Sequence, residues 1–379
     1  MYKWKLLFFV VLLTFTLNGC QSVAHSVPSY SHPSVQAGSP SPIPSNEIST
    51  LTPQPAATKT LVIPPLFPSP TVNLHFHNSA RIVYDRARDE FVAFGCDRRV
   101  PDAVCNETWV WNEVTWQQLQ PQIAPFGRSE GGFAYDDARG NAVLFDSPSP
   151  QGAVHNMLND TWVWNGQNWQ EKHPSTSPPV RFGIPGNNLV YDAARQVVLL
   201  FGGEIPGATQ MMAFSRLNDT WLWDGQTWNQ AHPSTAPPAL YEGVFMAYDP
   251  LSKTVLLLDG NTTWTWDGET WAQQHPIHTP SAPYGALGYD EKRQQMVFFC
   301  ACIEPSMGYG DFLETWVWAA NDWQKMGTSG KPLADSNSLF DMNMVYDTKH
   351  QVLLLFTINS GSGGVTVWVW TGNDWQPAY

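Results

Sequence analysis

The sequence predicts an all-β protein built from six similar units, and the placement of its tryptophans is the main reason. Trp4 stands alone near the N-terminus, whereas the other eighteen form triplets with one internal spacing: Trp109/Trp111/Trp116, Trp162/Trp164/Trp169, Trp221/Trp223/Trp228, Trp264/Trp266/Trp271, Trp316/Trp318/Trp323 and Trp368/Trp370/Trp375. A Tyr-Asp pair precedes each triplet, at Tyr84, Tyr135, Tyr191, Tyr248, Tyr289 and Tyr346. A period of about 40–57 residues is the signature of a repeat array.

The N-terminal segment is expected to be an export signal rather than a part of the folded domain. Lys3 and Lys5 form a basic start, and the apolar run that follows is too short to span a bilayer. The run ends in Leu17-Asn18-Gly19-Cys20, which resembles a bacterial lipobox. The resemblance implies that residues 1–19 are removed as a signal peptide and that Cys20 is lipidated. The chain would then be anchored to a bacterial membrane, at the cell surface or in the periplasm. An ordinary secretory signal is the alternative.

Residues 20–70 are predicted to form a disordered linker between the anchor and the folded domain. They are rich in Pro, Ser and Thr and carry few charges, so they cannot bury enough surface to offset the entropy of ordering. Leu61-Val62-Ile63 and Leu66-Phe67 interrupt this composition. We expect these apolar pieces to dock as a strap onto the folded domain, residues 71–379.

Each repeat is predicted to form four short antiparallel strands, as the third repeat illustrates. A first strand ends at Tyr191, a second ends at Phe201, and a hairpin around Asp224-Gly225 closes the repeat. Short turns join the strands of each hairpin, and a long loop separates the two hairpins. The six units are expected at about residues 80–120, 131–171, 187–230, 244–274, 285–326 and 342–377.

Two spacings are constant while the loops vary in length. The repeat tyrosine lies ten residues before the last apolar residue of the second strand, from Tyr84/Phe94 to Tyr346/Phe356, and the outer tryptophans of each triplet are seven apart. This pattern indicates rigid units joined by tolerant loops. Because the first two tryptophans are two residues apart, both project from one face of their strand. We expect all eighteen to pack between neighbouring sheets, where each ring can bury about 150–250 Å².

The repeat resembles the kelch repeat, as found in the central domain of galactose oxidase. The Tyr-Asp strand, the Gly202-Gly203 pair and the closing tryptophans carry the resemblance, which extends from Ala80 to Gln376. It implies a six-bladed β-propeller with four antiparallel strands per blade. Only the third repeat keeps both glycines. Unless Thr71 to Phe76 supply a further strand, the ring must close by packing between the first and last blades.

The candidate ligand site lies on the face that carries the loops between the second and third strands and the connections between blades. These B–C loops and D–A connections emerge together, and function concentrates in loops on rigid scaffolds. The candidate ligand-binding residues are Arg128, His155, Arg181, Glu204, Arg216, Tyr241, Glu242, Glu304, Tyr309 and Asp311. No catalytic residue can be named from the sequence.

The cysteines and histidines predict a disulfide but no metal site. Export favours a bridge between Cys96 and Cys105, which flank the loop between two antiparallel strands. Cys300 and Cys302 lie two apart on one strand, and free thiols are favoured over a strained bridge or half a metal site. We expect no cofactor and no metal. The Asp/Arg pairs that recur in the first turn of several repeats are explained by local pairing.

The composition excludes one class of partner but does not identify a specific partner. The formal charge is −13 and no basic stripe is visible, so nucleic acid is not an expected partner. The favoured hypothesis is a monomeric binding or scaffolding module for a glycan or an envelope protein, and binding is favoured over catalysis. The alternative is a carbohydrate-active enzyme of the epimerase, mutarotase or oxidase type, because some kelch propellers have such activities.

Overall fold

The computed structural model describes residues 65–68, 80–95, 106–128, 131–148, 157–181, 186–206, 214–239, 243–304, 308–330, 332, 342–358 and 364–379. All of them belong to one compact unit, Val62–Tyr379. The predicted signal peptide, Cys20 and most of the linker lie outside the described residues. Among the residues that are described, no helix has the length and hydropathy needed to cross a membrane.

The described residues form six sheets that each contain a four-stranded antiparallel meander. Blade 1 comprises β1 (Arg81–Asp85), β2 (Glu90–Gly95), β3 (Glu107–Trp111) and β4 (Trp116–Leu119), and blade 2 comprises β5 (Gly132–Asp136), β6 (Asn141–Pro148), β7 (Met157–Trp164) and β8 (Trp169–Lys172). A two-residue strand, β9 (Gly186–Asn187), precedes blade 3, which comprises β10 (Leu189–Asp192), β11 (Val197–Pro206), β12 (Phe214–Trp223) and β13 (Trp228–Ala231).

The second half of the chain repeats this arrangement. Blade 4 comprises β14 (Val244–Asp249), β15 (Thr254–Asp259), β16 (Thr262–Trp266) and β17 (Trp271–Gln274), and blade 5 comprises β18 (Tyr284–Asp290), β19 (Gln295–Glu304), β20 (Gly308–Ala319) and β21 (Asp322–Met326). Blade 6 comprises β22 (Met342–Asp347), β23 (Val352–Ile358), β24 (Val365–Trp370) and β25 (Trp375–Pro377). The predicted six-bladed β-propeller is confirmed.

The repeated tryptophans join neighbouring blades. The third tryptophan of blade 3, Trp228, is fully buried among residues of blade 2, including Phe145 and Val163. Its indole N–H donates to the Thr161 hydroxyl of blade 2 at 2.8 Å. The same hydrogen bond recurs at 2.7–2.9 Å in the pairs Trp169–Thr108, Trp271–Thr220, Trp323–Thr263 and Trp375–Thr315. The predicted packing between sheets is therefore confirmed, and a buried hydrogen bond fixes the position of each of these tryptophans against the neighbouring blade.

The ring closes by direct contact between blades 1 and 6. Their first strands, β1 and β22, contact each other as the first strands of the other neighbouring blades do. Asn343 of β22 accepts a hydrogen bond from the Ile82 backbone N–H at 3.2 Å and donates one to the Ala80 carbonyl at 3.2 Å. Thr71 to Phe76 lie outside the described residues, so the seam is defined here by packing between the two blades.

Phe67 strengthens this seam. Its side chain is only 2% exposed and belongs to the apolar cluster shared by blades 1 and 6. Its ring meets Trp111 edge-on at 5.0 Å between centroids, and its backbone N–H donates to the Ala378 carbonyl at 2.8 Å. The predicted docking is confirmed for Phe67, whereas its neighbour Leu66 is 37% exposed.

The short strand β9 is a feature that the sequence did not predict. It pairs in parallel with β14, through Gly186↔Val244 and Asn187↔Phe245, and so makes blade 4 five-stranded. Because β14 is the first strand of its blade, β9 lies on the channel side of the sheet. A two-residue pairing has no periodicity that a sequence pattern could reveal.

The cysteines are only partly described. Cys96, Cys105 and the side chain of Cys302 lie outside the described residues, so the predicted Cys96–Cys105 bridge stays a prediction. Cys300 is fully buried and disulfide-bonded, with its partner sulfur outside the described side chains. The preference for a free thiol at Cys300 was therefore wrong, because spacing along one strand does not reveal which sulfur the fold places beside it.

Candidate functional site

Two of the predicted ligand-binding arginines are occupied by internal ion pairs. Arg128 and Arg181 are buried, and each guanidinium forms two parallel hydrogen bonds with an aspartate of the blade that follows it. Arg128 contacts Asp160 at 2.8 and 3.0 Å, and Arg181 contacts Asp219 at 2.8 and 2.9 Å. These pairs attach the connections between blades to the third strand of the next blade, a contact that charge-assisted bidentate geometry makes strong.

The electrostatics of Asp160 agree with this structural role. Burial opposes the charged form, but the hydrogen bonds and charge of Arg128 outweigh it, and the pKa of the Asp160 carboxyl lies below its usual range. The carboxylate therefore stays ionised wherever Arg128 stays in place. An arginine held in this way does not offer its donors to a ligand unless the pair opens.

The remaining candidates are partly visible. Glu204 and Arg216 face each other across β11 and β12 and form an ion pair at 2.8 Å. Glu304, Tyr309 and Asp311 lie on β19 and β20 by their backbone, but their side chains are outside the described part of the chain. His155, Tyr241 and Glu242 also lie outside the described residues. The four candidates with described side chains thus form ion pairs with each other or with aspartates. None of these four lines the cavity in the central channel of the propeller.

The central channel contains a cavity of about 530 Å³. Its walls come from the first strands of all six blades and from the turns that follow them. The walls are polar and apolar in about equal measure, and the repeat tyrosine of every blade contributes to them: Tyr84, Tyr135, Tyr191, Tyr248, Tyr289 and Tyr346. A volume of this size is within the range of small-molecule sites, about 300–1,000 Å³.

Each repeat tyrosine lies against the aspartate of the preceding blade. The Tyr135 hydroxyl donates to the Asp85 carboxylate at 2.8 Å and accepts from the Ala87 backbone N–H at 3.1 Å. Tyr289 has an equivalent hydrogen bond to Asp249. Burial, and after it the negative charge of Asp249, raises the pKa of the Tyr289 hydroxyl to about 12. The tyrosines are therefore neutral walls of the channel, and their hydroxyls are used in joining blades.

Arginines of the same turns hold the outer side of this junction. Arg139 forms an ion pair with the fully buried Asp136 at 2.8 Å, and its guanidinium reaches the next blade, where it donates to the Gln196 carbonyl at 3.0 Å. Gly225, with a φ of +95°, leaves the room that this arginine needs, because a Cβ there would lie 2.0 Å from its Nε. The predicted local pairing of Asp85/Arg88, Asp136/Arg139, Asp192/Arg195 and Asp290/Arg293 is confirmed.

The cavity extends to the A–B turns, which join the first and second strands, where it meets a charged cluster. The residue that follows the Tyr-Asp pair is Arg86 in blade 1, Asp137 in blade 2 and Glu291 in blade 5, and all three line the cavity. Arg86 Nε lies 3.4 Å from the Asp137 carboxylate, and its Nη2 contacts Glu291 across the mouth. Each side chain is about one-third exposed, so this mouth cluster is accessible to solvent.

The opposite end of the channel is narrowed. Asn187 of β9 lines both the main cavity and a small space of about 40 Å³ beyond it, which Asn343 and Met342 of β22 also border. The main cavity extends from Asn187 to the A–B turns. The described cavity therefore reaches the face opposite to the loops from which the candidate site was predicted.

One group of side chains has the composition of a metal site. Ligand atoms of Glu113, Asp347 and His350 lie within 4.8 Å of one another at the seam between blades 1 and 6. His350 Nδ1 lies 2.7 Å from Asp347, and Lys349 Nζ lies 3.0 Å from Glu113. His350 occupies the turn position that an arginine holds in blades 1, 2, 3 and 5. The group thus lies at the junction between two blades, as the Asp/Arg pairs of the other blades do. Its potential ligand atoms are in contact with each other or with Lys349.

The comparisons with known proteins leave the fold as the basis for assigning a function. No family model matches the sequence, and no curated protein matches it. What the structure establishes is a six-bladed β-propeller with a cavity in its channel. The sequence analysis missed the mouth cluster, although a signal was present: one position, directly after Tyr-Asp, is charged in three of the six repeats.

Proposed function

We propose that this protein is a kelch-type propeller that binds a small ligand in its central channel while a lipid on Cys20 anchors it to a bacterial membrane. The main support is the cavity of about 530 Å³, which Asn187 of β9 borders at one end and which meets solvent at the mouth cluster. Pockets that combine apolar walls with a few polar groups are the usual form of small-molecule sites. A propeller is commonly a binding or scaffolding module, and the fold agrees with that role.

Binding is favoured over catalysis by how the charged groups are used. Arg128, Arg181 and the Glu204–Arg216 pair are neutralised inside the protein. The tyrosines of the channel are neutral and hydrogen-bonded between blades. The arrangement is therefore rigid and preorganised, which favours recognition of a ligand. A glycan fragment or a segment of an envelope protein would be the expected source of such a ligand.

The cavity can be tested with a matched pair of variants. Ala193 lines the cavity at the turn after β10, whereas Ala194, its neighbour, does not, and both are exposed. Thermal unfolding of the full chain is measured against a panel of monosaccharides, envelope glycan fragments and small amines. We expect a ligand-induced rise in melting temperature that Ala193→Trp abolishes and Ala194→Trp preserves. A flat panel, or equal loss in both variants, would contradict the proposal.

The anchor is tested separately. In the organism that makes the protein, or in a bacterial host, the wild type is expected in the membrane fraction. Cys20→Ala removes the acceptor of the lipid and is expected to release the chain from that fraction or to leave it unprocessed. If the variant fractionates as the wild type does and carries the same mass, the proposal of a lipid anchor is wrong.

A further inference from the structure

The mouth cluster holds one arginine between two carboxylates of other blades. The guanidinium of Arg86 is held by two carboxylates, Asp137 of blade 2 and Glu291 of blade 5. Blade 5 does not adjoin blade 1, so this contact crosses the mouth of the channel. One positive group therefore faces two negative groups at the entrance of the cavity, which leaves the cluster with an excess negative charge.

The negative charge is not fully compensated by Arg86. Burial raises the pKa of the Asp137 carboxyl above its usual range, and the nearby Glu291 and Asp136 charges add to that effect, although Arg86 opposes it. A cation that approaches this carboxylate more closely than the 3.4 Å of Arg86 Nε would therefore be stabilised. Because Arg86 is about one-third exposed and sits on a turn, its side chain can leave the mouth without any change to the strands.

The wall beneath the cluster contains the six repeat tyrosines. Together with apolar residues of the same strands, they border the space that a ligand entering past the carboxylates would occupy. Aromatic faces attract cations through their quadrupole, and cages of such rings recognise quaternary ammonium groups. Two carboxylates at the entrance and aromatic rings inside are together complementary to a positive head on an apolar body.

We propose that the cavity takes a small organic cation, an amine or quaternary ammonium with an apolar portion, with Asp137 and Glu291 as its counter-ions. The ligand displaces Arg86, which otherwise occupies the cation position between the two carboxylates. This inference rests on the proposed function of the channel and specifies the chemistry of its ligand. It assigns the face with the A–B turns as the face of entry.

The test compares a cation with its neutral isostere. Choline and 3,3-dimethylbutan-1-ol have the same shape and differ in charge, and their binding to the full chain is measured by titration calorimetry at low ionic strength. We expect choline to bind about tenfold more tightly, because partly exposed ion pairs and cation–π contacts each contribute a factor of a few. Asp137→Asn should reduce that preference by a factor of a few, and Arg86→Gln should raise choline affinity several-fold.

Lys292→Gln is the matched control. Lys292 is the exposed neighbour of Glu291 and is not part of the cavity lining, so its loss should leave both probes unchanged. Retained binding of the isostere in Asp137→Asn shows that the variant is folded. Equal affinity for the two probes, or an equal response to Asp137→Asn, overturns the cation site but leaves the channel as a binding site. If neither probe binds and no compound of the earlier panel responds to Ala193→Trp, the proposed function fails as well.

Discussion

Replacement of Phe67 by alanine should loosen the seam at which the propeller closes. The side chain is 2% exposed and packs edge-on against Trp111 and against His350, at 5.0 and 5.3 Å between ring centroids. Phe→Ala in a packed core costs about 3–5 kcal/mol, and we expect a value near the lower end because the strap lies at the edge of the core. The backbone hydrogen bond to Ala378 does not depend on the side chain and should remain.

Thermal unfolding of the full chain provides the measurement. At about 2 °C per kcal/mol for a domain of this size, a cost near 3 kcal/mol means that Phe67→Ala should lower the melting temperature by roughly 6 °C. Leu66→Ala is the control, because Leu66 is 37% exposed and surface substitutions usually change stability by about 0.5 kcal/mol or less. A shift of less than 2 °C for Phe67→Ala, or equal shifts for the two variants, would refute the conclusion that the strap is a part of the closed ring.

Two further changes test the junctions between the other blades. Trp228→Phe keeps a large ring but leaves the buried Thr161 hydroxyl without its donor, and chemical denaturation should show a loss of about 1–3 kcal/mol; a loss below 0.5 kcal/mol would contradict this. Asp160→Asn leaves the buried Arg128 without a counter-charge and should cost about 3–5 kcal/mol at pH 7. Because the folded pKa of Asp160 lies below its unfolded value of about 3.9, the wild type has this stabilisation above that value and loses it as the pH falls through the folded pKa. The penalty of the variant should therefore shrink between pH 5 and 2, and a penalty that is independent of pH would contradict the assignment.

The repeat pattern predicted the fold because equivalent residues make the same packing contacts in all six blades. A tryptophan such as Trp228 must be buried against the blade before it, and its fixed spacing from the strand it pairs with is visible in the sequence. The turn pairs such as Asp136 and Arg139 were also predictable, since both partners lie within three residues. Contacts between residues that are close in sequence can therefore be predicted from a sequence pattern.

The mouth cluster could not be predicted from a local sequence pattern, because its residues meet only when the ring of blades closes. Arg86 and Glu291 are 205 residues apart, and only a circular arrangement of blades brings them together across the channel. Arg128 and Arg181 lie in connections between blades, and their position in the sequence does not reveal that each is buried in an ion pair with an aspartate. A sequence shows that a residue is charged, and it does not show which charge will lie next to it.

The sequence by itself determined the number of blades, the four strands in each and the aromatic contacts between them, because these depend on periodicity within a single repeat. Only the tertiary structure decided which groups meet at the channel and at the seam. These are the two-residue strand β9 beside β14, Asn343 beside β1 and the charges of three separate turns. Each of these is a contact between different blades, and its geometry exists only once all six are assembled.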